Sequence, residues 1–395
     1  MSRAEEIYPL KRLISRQLAL ARKDRFNAKI LERYYNARVA EGISLARIHK
    51  CVCTMRMLSS LLGMPFEKAK KEDIVRLVAR VEKKGLADWT KRDYRVILKQ
   101  FYKWLRNWED GTPPEVRWIK KTTKAENKRP ILPKHLLTAE EKKMLIEATM
   151  NPRDRALLEV FFESGRRLSE ILTLHIGDIE FDQMGARLSI HGKKGSDFAR
   201  IISSAPSLKL WLDFHPSREN PDSPVWIGIG NRKANEQISY SAAASALKKI
   251  AKRAGIKKRI FYYLLRHTRI DETQGILTES QQCMMFGWQF GSRMPAVYMK
   301  RYGKHIDNAQ AVMNGVANTQ TKQVELQKPV TCGRCSFENS PYSDSCQRCS
   351  MSLKVKFGVQ FEESKKNAEE LLYDILNDSE KLEKLRQFLA ESHSK

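Results

Sequence analysis

The 395-residue sequence has no apolar run near the ~18–20 residues that a membrane helix requires. Its opening, Met1-Ser2-Arg3-Ala4-Glu5-Glu6, carries acids where a secretory signal carries an apolar stretch. Together these absences predict a cytoplasmic protein with no membrane partner. No Gly-x-x-x-x-Gly-Lys-Ser/Thr phosphate loop occurs, so no nucleotide cofactor is expected. There is no repeat of solenoid length. Cysteine is sparse and odd in number, seven scattered residues, which does not make a disulfide framework. Acidic residues are in short supply: 46 against 72 lysines and arginines, a net charge of +26. Such an excess points to a polyanionic partner, most often nucleic acid.

What is present is unevenly placed. Residues 1–135 hold 33 basic and 15 acidic residues, whereas residues 359–395 hold 6 and 9. A DNA-facing region at the front is the natural expectation, with the tail outside the basic field. Hydrophobic residues at 42% and a length near 400 predict two or three globular domains.

Helical spacing dominates residues 1–110. It predicts helices over about 27–39, 43–62 (ending at Gly63), 73–84 (ending at Gly85) and 88–108, a small basic bundle that would bind DNA. Residues 111–135, with Pro113, Pro114, Pro130 and Pro133 among lysines, read as a basic interdomain linker. A second domain opens at Thr138-Ala139-Glu140-Glu141, which has the form of a helix capping box, and runs over 136–318. Helices are expected there at 139–149, 153–164, 168–174, 241–254, 262–274, 278–286, 293–301 and 306–315. Two or three short strands are expected over 179–200. The fold class is therefore mainly α with a small β-sheet. An amphipathic helical tail over 360–395, with Leu371, Ile375, Leu382, Leu385 and Leu389 on one seam, reads as a protein-contacting segment.

The most specific local signal lies at 330–353. Cys332-Gly333-Arg334-Cys335 and Cys346-Gln347-Arg348-Cys349 offer four thiolates at knuckle spacing, the pattern of a zinc ribbon. Four protein ligands close the metal's shell, so the expected zinc is structural.

A second constellation is spread over 160–300. It comprises Gly165-Arg166-Arg167-Leu168-Ser169-Glu170, Gly192-Lys193-Lys194-Gly195, Tyr263-Leu264-Leu265-Arg266-His267-Thr268, Gly287-Trp288 and Ala296-Val297-Tyr298. Singly these are ordinary. In this order they resemble the active site of the tyrosine recombinases, the phage-integrase and Xer family. The resemblance spans about residues 20–315, and the ribbon after the catalytic domain is similar to archaeal members.

The resemblance implies a helical core-binding domain followed by a catalytic domain. It implies Arg167 and Arg266 as the two arginines, Lys193 as the hairpin lysine, Trp288 in the His/Trp slot and Tyr298 as the nucleophile. One position departs: the His of the family's His-x-x-Arg falls on Tyr263, whose phenol is a poor general base at neutral pH. His267 could replace it only if the segment turns differently. Tyr302, four residues past Tyr298, is the rival nucleophile.

These residue types suit the chemistry. A tyrosine oxygen can carry the phosphate covalently. Two arginine forks can hold the non-bridging oxygens as charge builds up. A lysine can protonate the leaving 5′ oxygen, and an indole N–H can help hold the phosphate. The implied activity is site-specific recombination or integration. DNA strands would be cleaved and rejoined through a 3′-phosphotyrosyl link and a Holliday junction, by a homotetramer on double-stranded DNA, with a nucleoid-associated location. The alternatives are a type IB topoisomerase-like enzyme and a non-catalytic DNA-binding regulator of the same fold.

Overall fold

A computed structural model describes residues 7–120, 133–192, 195–230, 234–302, 310–311, 313–315, 328–353, 373 and 377. The chain divides into two compact units, 1–131 and 132–395.

The first unit is a bundle: α1 (Leu10–Ala21), α2 (Ala28–Ala40), α3 (Leu45–Leu62), α4 (Lys71–Lys83), α5 (Asp88–Leu105) and the single turn α6 (Pro114–Arg117). Gly63 ends α3 in the left-handed conformation that glycine adopts without strain. The core is built around Phe101. Tyr34, Phe66, Tyr102 and Trp104 surround it with ring centroids 4.8–5.8 Å away, in edge-on and tilted pairs. A buried polar knot fixes the chain entry to α2. Asn27 donates to Ser59 Oγ (2.7 Å) and to the Met64 carbonyl (3.0 Å), and its Oδ1 accepts from the Phe66 N–H (2.8 Å).

Two differences from the sequence reading stand out. Helix α1 precedes the first expected helix, and Ile14 and Ala21 are its buried residues. Residues 114–120, read as linker, carry α6 and send Val116 and Ile119 into the bundle core. The rest of that stretch, 121–132, lies outside the described residues.

The second unit opens with α7 (Ala139–Glu147), capped as expected: the Glu141 N–H donates to Thr138 Oγ1, and the Thr138 N–H donates to the Glu141 carboxylate. Helices α8 (Pro152–Ser164) and α9 (Leu168–Leu172) lead into an antiparallel meander. Its strands are β1 (Ile179–Asp182), β2 (Gly185–Gly192) and β3 (Gly195–Ile201), with Ile179 opposite Leu188 and Leu188 opposite Ala199. Leu188, Ile190 and Ile201 face the core. Helices α10 (Ala205–Asp213), α11 (Tyr240–Arg253), α12 (Tyr262–Thr273), α13 (Glu279–Phe286) and α14 (Met294–Tyr302) follow. Helix α10 went unread in the sequence. The described residues of this domain are mainly helical around a small three-stranded sheet, the fold class the sequence implied. Among the described residues no helix is long and apolar enough to cross a membrane.

The cysteine segment folds as a two-stranded module, β4 (Val330–Thr331) with β5 (Glu338–Asn339). It does not stand free. Arg155 of α8 donates to Ser343 Oγ (2.9 Å), and Lys143 of α7 pairs with Asp344 (3.4 Å). Glu159 of α8 is 2% exposed. Burial pushes its carboxyl up, against Arg155, Ser207 and the module's Ser340, which pull it down. Half of the expected helix at 306–315, and the tail over 360–395 except Tyr373 and Asn377, lie outside the described residues.

Candidate active site and cysteine cluster

Two adjacent arginines leave α8 in opposite directions. Gly165 closes the helix at φ +58°, and a Cβ there would meet Phe286 at 2.6 Å, so only glycine fits both the turn and the contact. Arg166 then turns inward. It is 1% exposed, pairs with Asp197 (2.6 Å) and donates to the carbonyls of Phe198 and Met284. Arg167 turns outward as the residue preceding α9. Its backbone N–H and its guanidinium both bond Glu170 (3.0 and 2.6 Å), and Nη1 reaches the Gly287 carbonyl at 3.3 Å. Glu170 thus fixes the fork while leaving it open to a ligand.

Helix α12 supplies the next groups. Arg266 is 3% exposed and donates to the Gly165 carbonyl (2.8 Å) and the Phe286 carbonyl (2.9 Å), which lock the plane of its guanidinium. Burial first, and then the neighbouring Arg167 charge, lower its pKa to about 10, so it stays cationic at neutral pH. Arg266 therefore ties together the end of α8 and the end of α13.

Helix α13 ends on Gly287 at φ +59°, and the Trp288 N–H bonds back to the Cys283 carbonyl (2.9 Å), a Schellman closure. A Cβ on Gly287 would sit 2.6 Å from Arg166 Nη1. This closure sends the Trp288 indole over Tyr298, with ring centroids 5.7 Å apart and 20° between planes. Tyr298 of α14 is 1% exposed, and its hydroxyl lies 2.8 Å from His267 Nδ1.

Arg167, Tyr263, Arg266, Trp288 and Tyr298 line one cavity of about 390 Å³, closed on another side by the loop 289–292. Tyr263 stands half-exposed at this cavity with its ring edge-on to His267, centroids 4.3 Å apart. Lys193 lies outside the described residues; the strands flanking it pair Gly192 with Gly195. The rival Tyr302 is the last residue of α14. His267, which the sequence reading admitted only if the segment turned differently, is the group that meets the Tyr298 hydroxyl. Tyr263 and His267 are four residues apart on one helix, and that spacing was the available signal.

The second cluster is separate. The Sγ atoms of Cys332, Cys335, Cys346 and Cys349 lie within 4.8 Å of one another, with Cys332–Cys349 and Cys335–Cys346 at 3.6 Å. Four thiolates about 2.3 Å from a tetrahedral zinc would stand about 3.8 Å apart, so the set fits that ion. The two knuckles repeat one local design. The Ser336 and Ser350 N–H groups close back on the Cys332 and Cys346 carbonyls, and both serines have positive φ. Burial raises the Cys346 thiol, but backbone N–H groups of Cys349 and Arg348 outweigh it and hold the thiol down at about 6, a state prepared for a cation.

Residues 135–270 match the phage integrase family. The chain is 24% identical over 253 residues to tyrosine recombinase XerA of Pyrococcus horikoshii, covering 62% of this chain and 80% of that one. It is 28% identical over 247 residues to tyrosine recombinase XerC of Xanthomonas campestris pv. campestris, covering 58% and 72%. In fold it is similar to the XerH site-specific recombinase bound to a difH substrate, with a TM-score of 0.54 and 18% identity over 72% of this chain and 84% of that one. It is likewise similar to a lambda integrase dimer bound to a core site, with a TM-score of 0.54 and 16% identity over 68% and 75%. The order of its motifs, the cavity they line and these relatives together support a tyrosine recombinase, with residues 135–270 matching the phage integrase family.

Proposed function

We propose that this chain is a site-specific recombinase that cleaves and rejoins double-stranded DNA through a 3′-phosphotyrosyl link at Tyr298. The observation that carries the reading is the convergence of Arg167, Arg266, Trp288 and Tyr298 on a single cavity. A scissile phosphate placed there meets two fixed guanidinium forks on its non-bridging oxygens. Their charge is worth most as the phosphorane builds up negative charge away from water. The Trp288 indole N–H supplies a further donor. Attack by the Tyr298 oxygen forms the O–P bond and breaks the P–O5′ bond. Lys193, from the β2–β3 turn, gives the leaving oxygen its proton. The reverse steps on a new 5′ hydroxyl join the exchanged strand. Because the bond energy is kept in the phosphotyrosyl link, no nucleotide is needed.

The basic first unit is the expected grip on the phosphate backbone, with strongly salt-dependent affinity. Four protomers on two duplexes form the expected assembly, in the cytoplasm and on the nucleoid. The four cysteines would hold one structural zinc; the metal stabilises its module and takes no part in the phosphoryl transfer.

Incubation with nicked suicide DNA is the test. A covalent adduct that disappears in Tyr298→Phe while DNA binding persists supports the reading. An adduct retained in Tyr298→Phe and lost in Tyr302→Phe moves the nucleophile. No adduct with any DNA favours a binding regulator. Relaxation of supercoils without strand exchange between duplexes favours a topoisomerase.

A further inference from the structure

The family's histidine position is occupied by Tyr263, whose phenol is a poor proton acceptor at neutral pH. The geometry points to His267: we infer that its Nδ1 takes the proton from Tyr298 at cleavage and returns it at rejoining. This rests on the strand-cleavage reading above and names the base within that site.

Three observations carry it. The imidazole is 3% exposed, so bulk water does not compete for the contact. Its Nδ1 lies 2.8 Å from the Tyr298 oxygen, within the reach required of a general base. A phenol keeps its proton at neutral pH, so the hydroxyl donates and Nδ1 accepts, which places the ring's own proton on Nε2. Two tyrosines face the imidazole. Tyr263 meets it edge-on at 4.3 Å and Tyr298 lies across it, and both tyrosines line the cavity with Arg167 and Arg266. Tyr263 is half-exposed and reaches the cavity from its mouth, so it can touch a ligand oxygen but is a poor proton acceptor.

The step balances. The Tyr298 O–H bond breaks and its proton passes to Nδ1, giving imidazolium. The freed electron pair forms the O–P bond, the P–O5′ bond breaks, and the 5′ oxygen takes a proton from Lys193. Imidazolium is briefly tolerated because the phosphorane's negative charge develops beside it. In the reverse direction imidazolium protonates the departing phenolate and is neutral again.

His267→Asn separates proton acceptance from mere positioning. Its amide oxygen falls near Nδ1 and can accept the same hydrogen bond, but it cannot hold a proton. Single-turnover adduct formation should fall about 100-fold, the usual size of a general-base contribution. The parent's loss of rate toward acid pH should give way to a rate that rises steadily with pH. Tyr263→Phe should cost less than tenfold and keep the parent's profile.

DNA with a bridging 5′ sulfur needs no leaving-group proton. It should therefore rescue a Lys193→Ala variant and leave the His267→Asn defect in place. On that substrate the parent alone should still show the acid decline, a readout that does not depend on any variant folding. A His267→Asn rate within threefold of the parent, a Tyr263→Phe defect exceeding it, or rescue of His267→Asn by the sulfur overturns the proposal. Absence of any adduct from the parent protein overturns the cleavage reading instead.

Discussion

The two units hold themselves together in different ways. Among its described residues the first unit buries Asn27, Thr54 and Ser59 and no charged side chain; its core is an aromatic cluster around Phe101. The second unit buries Lys142, Arg153, Glu159, Arg166, Glu170, Asp178, Arg266 and His267. Burying a charge costs several kcal/mol unless partners compensate it. A protein that needs only stability does better with the first arrangement. Arg266 lines the cavity and Arg166 and Glu170 support its walls, whereas Lys142, Arg153 and Asp178 are paired elsewhere in the unit and Glu159 lies against the cysteine module. The comparison separates a core that serves packing alone from one in which part of the buried charge serves the cavity.

The widest separation of the two designs should come from Phe101→Ala. It empties the centre of the bundle and should cost about 3–5 kcal/mol of unfolding free energy, measured by denaturant titration. Arg266→Ala should instead be read mainly in rate. Loss of a fixed donor to the transition state should cut adduct formation about 10²–10³-fold, and Arg266→Lys should restore little because one ammonium cannot span two carbonyls and a phosphate. Arg166→Met tests whether its neighbour is purely a support. The carbonyls of Phe198 and Met284 lose their donor, so stability should drop by about 2–3 kcal/mol, while Arg167→Ala should leave stability within about 0.5 kcal/mol and lose cleavage. If Arg166→Met cleaves normally at full stability, the inward arginine is not a support. The smallest effect should follow chelation of the metal: a fall of roughly 2–6 °C in the melting temperature of the second unit, seen by calorimetry. An unchanged melting temperature would mean that the module contributes nothing to the helices it touches.

The parts that could be read from sequence were those with a local cause. Helices α3, α4 and α5 have one apolar face each, and Gly63 marks the end of α3. The Thr138 capping box is four residues of local chemistry. Helix α10 went unseen although Ser204 and Pro206 are a start signal, because nine residues give too few turns for a period to show. His267 was admitted only conditionally, for a different reason. Helix α12 is wrapped on most sides, with Tyr262, Leu264, Leu265, Arg266, His267 and Thr268 all buried, so no face stands out as special. Which side of such a helix meets Tyr298 is decided by α14, 31 positions away. The opposite fates of Arg166 and Arg167 follow likewise from a one-residue difference at the Gly165 turn.

The seat of the cysteine module has a consequence for the order of events in folding. Its contacts with α7 and α8 join residues 201 and 188 positions apart. Contacts so distant in the chain are found late, since the intervening segment must first be brought into place. Glu159 is buried between this module and Ser207 of α10, so its finished environment depends on residues far along the chain. The helix whose end turns Arg166 inward and Arg167 outward thus has one flank covered from far downstream, by the segment that carries the four thiols.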